Sequence, residues 1–126
     1  MKIKGFVLYW LPVVLYASVI FYLSSLSQPL PAGVSGYKYM DLILHALEYF
    51  VLSALLLRAF LYSSFKRPYV YAIVLSALYG ILDEVHQLFV IERVFSGYDM
   101  IADAVGACFI LLFLLHEKKT LQIQSH

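Results

Sequence analysis

Carboxyl groups and one imidazole recur at helical spacing along this chain. Asp41, His45 and Glu48 stand at i, i+4 and i+7, Asp83 and Glu84 are adjacent, and Asp99 and Asp103 are four apart. Groups of this kind do chemistry in one of three ways. They ligate a divalent cation, Mg²⁺, Ca²⁺ or Mn²⁺ through oxygen, or Zn²⁺ once an imidazole joins. They move protons as general acids and bases. Failing both, they hydrogen-bond one another as a partly protonated network that locks helices together. Asp41, His45, Asp83, Glu84, Asp99 and Asp103 are the candidate metal ligands, and Asp83, Glu84 and His45 the candidate catalytic groups.

Each stripe needs a helix to carry it. Residues three, four and seven apart share one helical face. Asp41, His45 and Glu48 form one such face, Ser76, Gly80, Asp83, Glu84 and Gln87 a second, and Asp99, Asp103 and Gly106 a third. His86 falls about 60° to one side of the second stripe, at an edge or interface.

These helices are expected to lie in a membrane. The chain has 126 residues, 63% hydrophobic and 13% charged, whereas a soluble domain carries roughly a quarter charged residues. Four apolar segments reach the roughly 20 residues a spanning helix needs: about 6–26, 41–62, 69–89 and 98–115. The expectation is an all-α membrane protein, a single four-transmembrane-helix bundle over residues 1–126. Between the spans, Ser27–Met40 carries Pro29, Pro31, Gly33 and Gly36 and suits a loop, Ser63–Pro68 a tight turn, and Val90–Gly97 a short link. The tail after His116 is polar and expected to fray. The first span is longer than the roughly 7–15 residues of a signal h-region and no A-x-A site follows, so it reads as a retained anchor. Cys108 lies in an apolar run, where a packed, inert thiol is expected.

Lys2, Lys4, Lys66, Arg67, Lys118 and Lys119 fall on one side of these spans, with Arg58 near the same end. Only Lys38 and Arg93 fall on the other. The positive-inside rule therefore puts both termini in the cytoplasm. Seven of the eight acids then lie at the outer face, leaving about five surplus negative charges against Lys38 and Arg93. A charge within the membrane costs roughly 2.5–3.5 kcal/mol at the centre and less near an end. Protons or a cation must compensate the cluster. Facing lipid would be costly for all three stripes, so they should face one another around a polar pocket. Gly80 and Gly106 allow the close helix approach this needs.

Two motifs resemble the VanZ-like family of bacterial membrane proteins. Asp41-Leu42-Ile43-Leu44-His45 followed by Tyr49 is similar to its D-x-x-x-H-x-x-x-Y pattern. Tyr79-Gly80-Ile81-Leu82-Asp83-Glu84-Val85-His86-Gln87, continuing to Arg93, Ser96, Asp99 and Gly106, resembles its Y-G-x-x-D-E-x-x-Q and R-x-x-S-x-x-D series. The likeness covers roughly residues 41–107. The chain departs from the pattern at Leu42 (often Lys), at Ile91-Glu92 (often Pro-Gly) and at Asp103 (often Asn). The resemblance implies a role at the cell surface, since the family's name comes from a protein associated with low-level resistance to teicoplanin, a lipoglycopeptide.

Arg93, Gln87, Tyr49 and Ser96 are the candidate substrate-binding residues. Arg93 either pairs with an Asp or Glu or holds a phosphate or carboxylate at the pocket mouth. The other tyrosines, Tyr16 among them, suit aromatic belts or lipid-facing runs, and Trp10 an interfacial anchor. An enzyme would act on a lipid head group or lipid-linked cell-wall precursor. A binding or regulatory protein would hold that lipid, a lipoglycopeptide or a partner helix without turnover. A cation path ranks last, since acid sits at one face only. A net charge of +1 with no basic run excludes nucleic acid as a partner. No G-x-S-x-G, P-loop, H-E-x-x-H or EF-hand loop is present, so serine chemistry has no support.

Overall fold

The computed structural model describes residues 3–26, 38–93 and 95–124. Five helices follow in order: α1 (Ile3–Ser24), α2 (Lys38–Tyr62), α3 (Pro68–Gln87), α4 (Gly97–Cys108) and α5 (Ile110–Gln124). No strand occurs among the described residues. α4 and α5 make one span interrupted only at Phe109, where the Phe109 N–H bonds Gly106 O at 3.1 Å and the Leu112 N–H bonds Phe109 O at 3.0 Å. These i→i−3 bonds tighten the helix by one 3₁₀ turn without ending it. Four helices are thus long and apolar enough to cross a membrane, the shortest at 20 residues. At 1.5 Å per residue that is about 30 Å, the thickness of a bilayer core.

Several boundaries differ from the sequence expectations. α2 begins at Lys38, so the end of the expected 27–40 loop is helical, and residues 27–37 lie outside the described ones. The tail does not fray at His116 but stays helical to Gln124. Cys108 faces outward and is exposed rather than packed. Among its neighbours, Val105, Phe109 and Leu112 are exposed too, the composition a lipid-facing surface requires.

The chain runs up and down. Trp10 donates to Ser63 Oγ at 3.0 Å and Tyr9 stacks on Tyr62, so α1 starts beside the end of α2. Tyr69 at the start of α3 donates to Glu117 on α5 at 3.3 Å. Lys4, Lys66, Arg67, Lys118 and Lys119 therefore collect at one end of the bundle, and the acid stripes lie toward the other. The second stripe turns inward: Ser76, Gly80, Asp83, Glu84 and Gln87 of α3 are all buried.

α2 and α4 meet at backbone distance. A Cβ on Gly106 would overlap the Ala46 backbone, its carbonyl oxygen above all. Ser53 Oγ, two turns further along α2, donates to Ala107 O at 3.0 Å. Ser76 Oγ on α3 donates to Tyr49 O at 3.2 Å. Small residues and hydroxyls hold these helices because lipid supplies no hydrophobic drive between them.

Candidate functional site

The three stripes converge. His45 on α2 places Nδ1 2.9 Å from Asp103 Oδ1 on α4, and its Nε2 lies 3.8 Å from Asp99 Oδ2 one turn earlier. Its two ring nitrogens thus face carboxylates on successive turns of α4, Asp103 at hydrogen-bond distance and Asp99 just beyond it. Asp41, one turn before His45, completes a first group with His45 and Asp99 whose ligand atoms lie within 4.8 Å of one another. Glu84 on α3 completes a second with His45 and Asp103 within the same distance. One imidazole therefore stands between two pairs of acids.

The turn from α3 to α4 builds the second group. Ser96 caps α4, its Oγ accepting from the Asp99 N–H at 3.2 Å. A serine there satisfies one of the N–H groups left open at a helix start. The Ser96 N–H donates to Glu84 Oε2 at 3.1 Å, tying the turn back to the end of α3. Glu92 in this turn has φ 65°, in the left-handed region that favours glycine.

A pocket of about 350 Å³ opens beside the imidazole between α1, α2 and α3. Asp41, His45, Glu48, Asp83, Gln87 and Arg93 supply its polar lining. Ile20 and Leu23 of α1 and Leu44, Leu47 and Val51 of α2 supply an apolar wall. Arg93 is half-buried at this pocket and makes no ion pair among the described residues, so the carboxylate pairing weighed from sequence is not seen there.

Five of the candidate residues thus line the pocket: Asp41, His45, Asp83, Gln87 and Arg93. Asp99 stands beside His45, while Glu84, Asp103, Tyr49 and Ser96 lie behind it within the packing of α2, α3 and α4. Tyr49 and Ser96, expected to touch a substrate, do not reach this pocket.

The helix scaffold, both motif stretches and the turn between α3 and α4 lie within one match. A family model described as VanZ/LLP1 covers residues 6–116. The chain belongs to the VanZ/LLP1 family. No curated protein and no solved structure matches it.

In this VanZ/LLP1 member the first helix does more than anchor. Tyr16 and Ser24 of α1 line the pocket, and Ser24 Oγ accepts from Gln87 Nε2 at 3.2 Å. Tyr16, expected on a belt or lipid face, donates to Glu48 O at 3.1 Å. Tyr79, a motif residue, donates to Ala17 O at 2.6 Å, and His86 lies 2.9 Å from Ser25 Oγ. Sequence reasoning gave α1 no site residue. The available signal was weak: Tyr16, Ile20, Leu23 and Ser24 share a face, but two of the four are apolar. Glu48 was legible on the first stripe, yet carried no assigned role.

Proposed function

We propose that this VanZ/LLP1 protein acts at the extracytoplasmic face of the membrane, where its pocket receives the head group of a lipid or lipid-linked cell-wall precursor together with a divalent cation. The two-sided lining of the pocket carries this reading. An amphiphile needs an apolar wall for its chain and a few placed polar groups for its head. Ile20, Leu23, Leu44, Leu47 and Val51 form such a wall beside Asp41, His45, Glu48, Asp83, Gln87 and Arg93. A phosphate would be repelled by so many carboxyls unless positive charge accompanied it; Arg93 brings one charge and a cation the rest. The Lys/Arg bias supports an outward-facing pocket, and the family's association with teicoplanin resistance supports a ligand at the cell surface.

Within this reading His45 is the best-placed proton acceptor, because Asp103 fixes its ring and Nε2 carries no hydrogen bond among the described residues. Asp83 shares the pocket with it, whereas Glu84 supports from behind. A second, non-enzymatic reading is favoured by the burial of Glu84, Asp103 and Tyr49 among the helices, which suits a structural network beneath a binding pocket.

Binding and turnover of purified lipid-linked precursor by the detergent-solubilised protein separate these readings. Saturable stabilisation that Leu44→Trp and Arg93→Gln abolish is expected on both. Product formation would establish the enzyme, and saturation without product the binding protein. Failure of any lipid-linked precursor or phospholipid to saturate would remove the head-group proposal.

A further inference from the structure

Behind the imidazole, the acids share a pattern: one carboxylate oxygen is held and the other is left over. Asp103 gives Oδ1 to His45 Nδ1 at 2.9 Å, while its Oδ2 is buried without a partner among the described residues. Glu84 gives Oε2 to the Ser96 N–H at 3.1 Å, while its Oε1 is buried without one. Asp83 Oδ1 is in the same condition. These side chains belong to residues only 1%, 0% and 6% exposed. A buried polar atom without a partner costs about 1–3 kcal/mol, and more when charged.

A neutral group points to the same place. Tyr49 is 0% exposed, and its hydroxyl, which lies toward Asp83, makes no hydrogen bond of ordinary length and angle among the described residues. Its ring carbon Cε1, next to the hydroxyl-bearing carbon, lies 3.2 Å from where a Cβ on Gly80 would stand, and Asp103 Oδ2 lies 2.9 Å from that point. The phenol edge and the spare carboxylate oxygen therefore both border a residue with no side chain.

We infer that a divalent cation binds here through Glu84 Oε1 and Asp103 Oδ2, whose residues belong to one group with ligand atoms within 4.8 Å, with the Tyr49 hydroxyl as a further oxygen. His45 and the Ser96 N–H are then the outer partners that fix the two central carboxylates, the usual support for metal ligands. This rests on the cation part of the function proposed above and adds where the ion sits. An all-oxygen set suits Ca²⁺, Mn²⁺ or Mg²⁺ better than Zn²⁺, because the ring nitrogen facing this side is occupied by Asp103. The outer group of Asp41, His45 and Asp99 also comes within 4.8 Å, but its two carboxylates are only half-buried, so water can compensate them.

The test is metal content and thermal stability of the full chain in detergent, stripped with EDTA and titrated with Ca²⁺, Mn²⁺, Mg²⁺ and Zn²⁺. One bound ion per chain and a saturable rise in Tm are expected, lost in Glu84→Gln and Asp103→Asn and kept in Asp41→Asn and Asp99→Asn. Should the inner variants not fold, Tyr49→Phe and His45→Gln decide, the latter weakening metal affinity about 10–100-fold. A response lost in the outer variants and kept in the inner ones would overturn this assignment while leaving a cation at the pocket mouth. No bound metal in any form would overturn it too and favour a protonated network. Neither measurement contains lipid, so the head-group proposal stands or falls by its own assay.

Discussion

His45 Nδ1 and Asp103 Oδ1 lie 2.9 Å apart and join α2 to α4 inside a membrane-spanning bundle. In so apolar a setting each group depends on the other, since a lone buried charge is far costlier than a pair. Replacing either partner alone by Ala should destabilise by about 3–5 kcal/mol. Replacing both should cost less than the two losses added, with a coupling of about 0.5–3 kcal/mol. Reversible unfolding of the four proteins in detergent gives the cycle, and strict additivity would mean that the pair does not hold the helices.

Gly106 and Gly97 make a paired prediction. A Cβ on Gly106 would overlap the Ala46 backbone, which cannot rotate away, while nothing lies within 4 Å of one on Gly97. Gly106→Ala should therefore force α2 and α4 apart, at about 1–3 kcal/mol. Gly97→Ala, at the exposed start of α4, should stay within about 0.5 kcal/mol of the parent. Equal thermal unfolding of the two variants would contradict the close approach.

Much of this was legible before any coordinates. Period-3.6 reasoning put Ser76, Gly80, Asp83, Glu84 and Gln87 on one face, because a polar residue in a membrane helix has nowhere to go but inward. The same logic brought Asp41, His45 and Asp103 together. Two things were not legible. Which acid His45 would take depends on the crossing of α2 over α4, set by Gly106 against Ala46 and not by spacing along either helix. The share of α1 was hidden because Tyr16 and Ser24 are ordinary residues in an apolar span, and only the fold shows that they face Glu48 and Gln87. Whether Arg93 pairs with a carboxylate was open for a related reason: surplus acid nearby argues for a pair, but the turn holding Arg93 decides whether it reaches one.

Glu92 marks a departure from the family pattern with a physical cost. It stands where VanZ-like chains often carry the Gly of a Pro-Gly lead-in, and its φ of 65° is one that L side chains adopt reluctantly. Its side chain is exposed, so little packing offsets that cost. Glu92→Gly should stabilise the protein by up to about 1 kcal/mol, and Glu92→Val, β-branched, should destabilise it. Melting temperatures in one detergent check both, and a clear loss of stability in Glu92→Gly would show that the turn is not held in this conformation.

The orientation proposed here rests on charge alone and can be read directly. Cys108 is the chain's sole cysteine, so a Cys108→Ser background allows one thiol at a time. Ser64 lies in the turn beside Lys66 and Arg67, and Glu92 lies in the turn at the acid end; both are exposed. With the basic end in the cytoplasm, Glu92→Cys should react with a membrane-impermeant maleimide in intact cells. Ser64→Cys should react only after the membrane is opened. Both turns belong to one up-and-down bundle, so the two thiols must report opposite sides. The reverse pattern would invert the topology, turn the pocket toward the cytoplasm, and exclude a surface cell-wall precursor as its ligand while leaving the His45–Asp103 geometry untouched.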